Sequence, residues 1–198
     1  MFVQIMEGRV ADAAAMRRLM EVWAEELRPG AAGFLGATAG LTDDGRSINI
    51  ARFASSAAAK ANSDRPEQGQ WWSRMEACYD GEVSFIESED VEVFLGGGSD
   101  DAGFVQVMKG DGLDRAMVER LDRAFEQHAP THRPDIIGGL RAWTGPDSGY
   151  DVTYFVSEEA ARAGESKPMP GEFDDLMADM EQLMANTEFI DLSDPWMW

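Results

Sequence analysis

The chain has 198 residues, 37 of them acidic against 17 basic, for a formal net charge of −20. A field of that sign repels phosphate backbones and anionic lipid, so nucleic acid and membrane surfaces are not expected partners, and the dispersed acids serve solubility. The single cysteine, Cys78, excludes an internal disulfide and fits a reducing cytoplasm, and no apolar run approaches the ~20 residues of a membrane helix.

Residues 2–6 are short, apolar and followed by Gly8, which suits a strand rather than the longer apolar region of a signal peptide. Residues 11–27 carry Ala15, Leu19, Val22 and Trp23 at helical spacing with charges between, and Arg28-Pro29-Gly30 stops that helix. Residues 33–41 and 46–53 flank Thr42-Asp43-Asp44-Gly45, whose Asp-Gly pair signals a hairpin. Ser55 caps a short Ala-rich helix. A second main helix covers residues 67–79, and residues 82–94 contain a last strand. Cys78 falls on the apolar side of that helix and reads as a buried small hydrophobe.

The same order returns 102 residues later. Phe2-Val3-Gln4-Ile5-Met6 reappears as Phe104-Val105-Gln106-Val107-Met108, and the register holds through Gly36/Gly138, Phe53/Phe155, Ser55/Ser157 and Met75/Met177. Over residues 2–78 against 104–180 there are 19 identities in 77 pairs, so one fold unit is used twice. In the second copy the strand is 104–108, the helix 113–127, the hairpin 136–143 with 150–156, the helices 158–163 and 172–184, and the final strand 188–192. The Gly, Ser and Asp of residues 96–103 make a linker, which gives units at 1–95 and 104–198. Each βαββαβ unit makes a four-stranded antiparallel sheet with its helices on one face. The other face stays apolar, and two copies packed sheet to sheet would cover it.

These strands, with Ile50-Ala51-Arg52-Phe53-Ala54-Ser55, the Ala-rich turn, Gln68-Gly69-Gln70-Trp71-Trp72 and Val91-Glu92-Val93-Phe94, make the chain resemble the dimeric α+β barrel superfamily. Within it the resemblance is to the antibiotic biosynthesis monooxygenase-like group. It implies an α+β fold of two tandem ferredoxin-like units forming a pseudo-dimeric barrel on one chain, as a monomer or a further homodimer. It also implies a small-molecule pocket between sheet and helices in each unit, with no cofactor in members that oxidise aromatic substrates. Haem-degrading relatives carry an iron-ligating histidine near the start of the second main helix. Here those places hold Trp72 and Asp174, which argues against haem.

Arg52 and Trp72 are the candidate catalytic residues. Arg52 could stabilise a developing oxyanion, or pair with one of many acids; Trp72 could pack on a substrate ring, or simply build core. Gln4, Met6 and Trp23 in the first half, with Gln106 and Tyr154 in the second, are the expected substrate-binding residues. The two glutamines recur in both copies, which favours a shared structural role. Asn49 and Asp151 lie one pleat step off the Arg52 face. His128 and His132 are the only histidines. Pro130 and Pro134 argue for an exposed loop around them, and no metal site is expected.

No phosphate loop or Gly-x-Ser-x-Gly elbow is present. Met169, Met177, Met180 and Met184 read as adaptable core or pocket lining. Trp196 and Trp198 should dock on the body, as an edge strand or a lid. The function this supports is cofactor-independent oxygenation of an aromatic or enolisable substrate in the first half. The alternatives are a non-catalytic small-molecule-binding or structural protein, and a lyase or isomerase, on the same fold.

Overall fold

The computed structural model describes residues 1–168 and 171–198. It forms two compact units, Met1–Val91 with Trp196–Trp198, and Glu92–Pro195.

In the first unit β1 (Phe2–Arg9) leads to α1 (Ala13–Val22), whose N-cap Asp12 accepts a bond from the Ala15 amide at 2.9 Å. The helix then widens into a π-turn over Trp23–Leu27 and ends in a 3-10 turn at Arg28–Gly30. The expected single helix over 11–27 is therefore two geometries, and the wider turn re-aims Trp23. The hairpin of β2 (Phe34–Leu41) and β3 (Arg46–Phe53) closes as expected, with Gly45 at φ +80° supplying the turn. α2 (Ser56–Ser63) starts on the Ser55 cap, and α3 (Pro66–Glu76) starts at a proline, which is pre-set for a first helical position. β4 (Ser84–Ser88) completes the run.

The second unit repeats it with β5 (Asp90–Phe94), β6 (Phe104–Gly110), α4 (Arg115–His132), β7 (Ile136–Trp143), β8 (Gly149–Phe155), α5 (Glu158–Glu165), α6 (Met177–Ala185) and β9 (Thr187–Leu192). A 3-10 turn over Gly171–Leu176 precedes α6. Asp114 and Ser157 cap α4 and α5 as Asp12 and Ser55 cap α1 and α2, each worth about 1 kcal/mol. The register repeats too: Phe2 faces Phe53 as Phe104 faces Phe155, and β2 and β7 each carry an irregularity just before the glycine, Gly36 or Gly138.

Two expectations change. Residues 82–94 are two strands, and they lie in different sheets: the orders are β10-β2-β3-β1-β4 and β5-β7-β8-β6-β9. Each half thus ends by sending a strand to the other half's sheet, because β10 (Trp196–Met197) pairs with β2. A strand added there covers an edge that would otherwise expose unpaired backbone groups. Residues 128–132 are helix, not loop. Pro130 sits in the last turn of α4, where carbonyls lack intrahelical partners anyway, and the Arg133 amide closes the end on the Ala129 carbonyl at 2.8 Å.

The core of the first unit lies between α1, α3 and one sheet face, with Met16, Leu19, Met20, Trp71, Met75 and Cys78 buried together. In the second unit Leu113, Met117, Val118, Leu121 and Trp143 form the equivalent cluster, and Met180 packs against it. Met177 and Met184 are exposed, and Met169 lies outside the described residues.

Candidate functional site

Antiparallel pairing places directly opposed residues on one face of a sheet. In the first unit this builds a row across all five strands: Phe85, Met6, Asn49, Ala39 and Trp196. A second row runs Glu87, Gln4, Ala51 and Ala37. Small residues at 37 and 51 leave room between sheet and helices. The result is a cavity of about 290 Å³, floored by Gln4, Met6, Asn49 and Ala51 and roofed by Trp23, Gln68, Trp71 and Trp72.

Aromatic rings wall it in sequence. Phe53 meets Phe34 at 5.5 Å between centroids, Phe34 meets Trp23 at 4.9 Å, Trp23 meets Trp71 at 6.4 Å, Trp71 meets Trp72 at 6.2 Å and Trp72 meets Phe85 at 5.1 Å. Two of these rings are locked by their indole N–H groups. Trp23 donates to Gln68 Oε1 at 2.8 Å and Trp71 to the Leu19 carbonyl at 2.7 Å. A planar, polarisable ligand suits such walls, since stacked and edge-on rings add to simple area burial.

The polar groups of the lining are amides and hydroxyls. Gln4 Nε2 is held by Glu87 Oε1 at 2.9 Å, the same cross-strand bond that joins Gln106 to Asp191 in the second unit. Arg65 donates to Asn62 Oδ1 at 2.9 Å. Asn49 Nδ2 faces the thioether of Met20 at 3.8 Å, and its Oδ1 is buried without a partner. Beyond Asn49 a chamber of about 10 Å³ opens, bounded by Ala39, Ser47, Tyr79 and Trp196. Ser47 Oγ and the Tyr79 hydroxyl lie 3.1 Å apart, and burial pushes the Tyr79 phenol above its ordinary range, so it stays protonated.

The equivalent place in the second unit is charged. Arg141 stands where the first unit has Ala39, Asp122 where it has Met20, and Asp151 where it has Asn49. Arg141 Nε lies 2.7 Å from Asp151 Oδ1, and its Nη1 and Nη2 bond the Asp122 carboxylate. Glu92 adds a contact at 3.5 Å. Burial pushes the Asp151 carboxyl up to about 6, opposed by the Arg141 charge beside it.

Of the sequence-derived candidates, Gln4, Met6, Trp23 and Trp72 meet around the cavity. Arg52 does not line it. Strand alternation puts Ala51 and Phe53 on the cavity face and Arg52 on the other, where its guanidinium lies over Gly36. Gln106 and the fully buried Tyr154 belong to the second unit, Gln106 tied to Asp191. The His128 and His132 rings are 6.0 Å apart on one helix face, with His128 against Phe173 at 5.6 Å. Among the described residues no group of three or more His, Cys, Asp or Glu could hold a metal, and no helix is long and apolar enough to cross a membrane.

Strand parity alone leaves Asn49 off the Arg52 face and gives no sign of Phe85, whereas the expected docking of Trp196 as an edge strand holds. For Asn49 the signal was present: it shares strand parity with Ala51 and Phe53. Phe85 and Trp196 enter only through strand pairing.

No family model and no curated protein matches the sequence. Solved structures do match over its length. Two are named "putative monooxygenase". That of Lactobacillus acidophilus NCFM has 14% identity and a TM-score of 0.71, covering 100% of this chain and 98% of its own. That of Fusobacterium nucleatum has 10% identity and a TM-score of 0.74, covering 96% and 90%. An anthrone oxidase-like protein has 11% identity and a TM-score of 0.63, covering 99% and 92%. The chain therefore has the α+β fold of the ferredoxin-fold, antibiotic biosynthesis monooxygenase-like proteins, with the unit carried twice.

Proposed function

We propose that the first unit binds a small planar aromatic molecule in its cavity and oxygenates it without a cofactor. The observation that carries this reading is the lining itself: about 290 Å³ enclosed by Phe34, Phe53, Phe85, Trp23, Trp71 and Trp72, with amides at Gln4, Asn49 and Gln68 to orient a polar substituent. Structures that share the fold and carry monooxygenase and anthrone oxidase-like names support the reaction class.

The reaction suited to such a site uses the substrate's own acidity. A ring methylene loses a proton to solvent water at the open side of the cavity, and the resulting carbanion passes an electron to dioxygen. A carbon–oxygen bond forms and the oxygen–oxygen bond breaks. One oxygen stays as a carbonyl, and the other leaves as water with the two hydrogens of the methylene. The aromatic walls hold the ring, so the protein contributes orientation. Trp72 packs against the ring, and Gln4, Met6 and Trp23 contact it. Arg52 lies outside the lining and is given no contact with the ligand.

A second reading, ligand binding without turnover, is favoured by one specific observation. Among the described residues the lining holds no carboxylate or imidazole to take the proton. Oxygen uptake with an anthrone and hydroquinone panel, in chelator-treated buffer and beside calorimetry of the same compounds, separates the two. The oxygenase reading expects uptake that falls several-fold in Trp72→Phe and is unchanged in Arg52→Ala. Binding with no uptake above buffer leaves the second reading, and no binding by wild type sinks both.

A further inference from the structure

We propose that the chamber behind Asn49 receives a single hydroxyl group of the aromatic ligand, with Trp196 as donor and Asn49 as acceptor. This makes the C-terminal strand a specificity element of the first unit and narrows the ligand class to hydroxyaromatics. It rests on the cavity reading above.

The chamber and the cavity are neighbours, with Met20, Asn49, Trp71 and Trp72 lining both. At about 10 Å³ the chamber holds one water-sized group and nothing larger. Two of the residues around it carry buried polar atoms with no partner: Asn49 Oδ1 and Trp196 Nε1. A buried donor or acceptor left without a partner keeps the full cost of losing its water. Two of opposite sense beside one small space point to an occupant that both accepts and donates.

A hydroxyl is the smallest ligand group that does so, accepting from the indole N–H and donating to the amide oxygen. A carbonyl satisfies only the indole, and an ammonium only the amide. The amide orientation follows from its other contact, since sulfur is a weak acceptor and Nδ2 faces the Met20 thioether at 3.8 Å.

Trp196 is held for this role. Its backbone pairs with Ala39, and Trp198 exchanges two further bonds with Ala37, at 2.8 and 3.1 Å. The Arg17 guanidinium lies 5.3 Å over its ring, and the residue is 9% exposed. The space exists because Ala39, between Asn49 and Trp196 in the cross-strand row, has only a methyl group.

The test is calorimetry on the full chain with two rings of matched shape, 2-naphthol and 2-methylnaphthalene. Wild type should prefer the naphthol by about tenfold, the net worth of one to two hydrogen bonds. Trp196→Phe keeps an aromatic ring under Arg17 and removes the donor. Asn49→Leu keeps the volume and removes the acceptor. Each should erase most of the preference, read as the ratio of the two affinities within each variant, and retained binding of methylnaphthalene reports that the cavity is intact.

Equal affinity of wild type for both rings, as an undisplaced water in the chamber would give, overturns the inference. So does a preference that survives Trp196→Phe, and either result leaves the cavity reading standing. Failure of wild type to bind either ring overturns both.

Discussion

The two units start from one backbone plan and end with opposite interiors at the same place. Where the first has Met20, Ala39 and Asn49 around open space, the second has Asp122, Arg141 and Asp151 bonded to one another. The long Arg141 side chain, only 8% exposed, takes the place that the Ala39 methyl leaves free. At these three positions, on two strands and one helix, side-chain size and charge separate an open space from a filled one. Apolar and small residues there leave a cavity. A buried cation with two carboxylates makes a rigid network, which specifies packing more than it stabilises it.

Breaking the charged side should give the largest effect. Arg141→Ala strands the Asp151 and Asp122 carboxylates and should destabilise the second unit by about 3–5 kcal/mol in denaturant unfolding. A loss below about 1 kcal/mol would mean the network is solvated and the contrast between the units is false.

The next effect is a pH dependence. Asp151 has a folded value of about 6, above the ordinary carboxylate value of about 3.9. Its ionised form therefore costs the folded state: the cost is absent below pH 4, grows through pH 4–6 and is complete above 6. Asp151→Asn removes that titration, so the variant should gain stability on wild type as the pH rises from 4 to 7. A stability difference that stays flat over that range would show that Arg141 fully compensates the burial.

Converting the first unit to the second is the subtlest test. Ala39→Arg alone should cost about 1–3 kcal/mol by overpacking and abolish ring binding measured by calorimetry. Adding Met20→Asp and Asn49→Asp should restore stability while binding stays lost. Recovery of binding in the triple variant would place the ligand elsewhere.

Much of this was legible beforehand, for local reasons. The Asp-Gly hairpin, the Asp12 and Ser55 caps with their copies at Asp114 and Ser157, and the strand openings depend on neighbours in the chain. Alternation already put Arg52 on the opposite side from Ala51 and Phe53. It could not say which side would carry the helices, and so Arg52 was expected in the pocket. The helix at His128 and His132 was misread because Pro130 was treated as a breaker. Near a C-terminus its missing N–H removes a bond that the last turn can lose.

The duplication, the order of elements and the residues that share each strand face follow from spacing and local torsion preferences along the chain. Long-range pairing is what sets residues 90–94 and 196–197 into sheets other than those of the strands before them, and brings Trp196 to the chamber that Asn49 lines. Strand exchange is a choice between edges with similar hydrogen-bonding capacity. That choice is made by side chains far apart in the chain, such as Ala39 and Arg17 against Trp196, whose meeting no local pattern encodes.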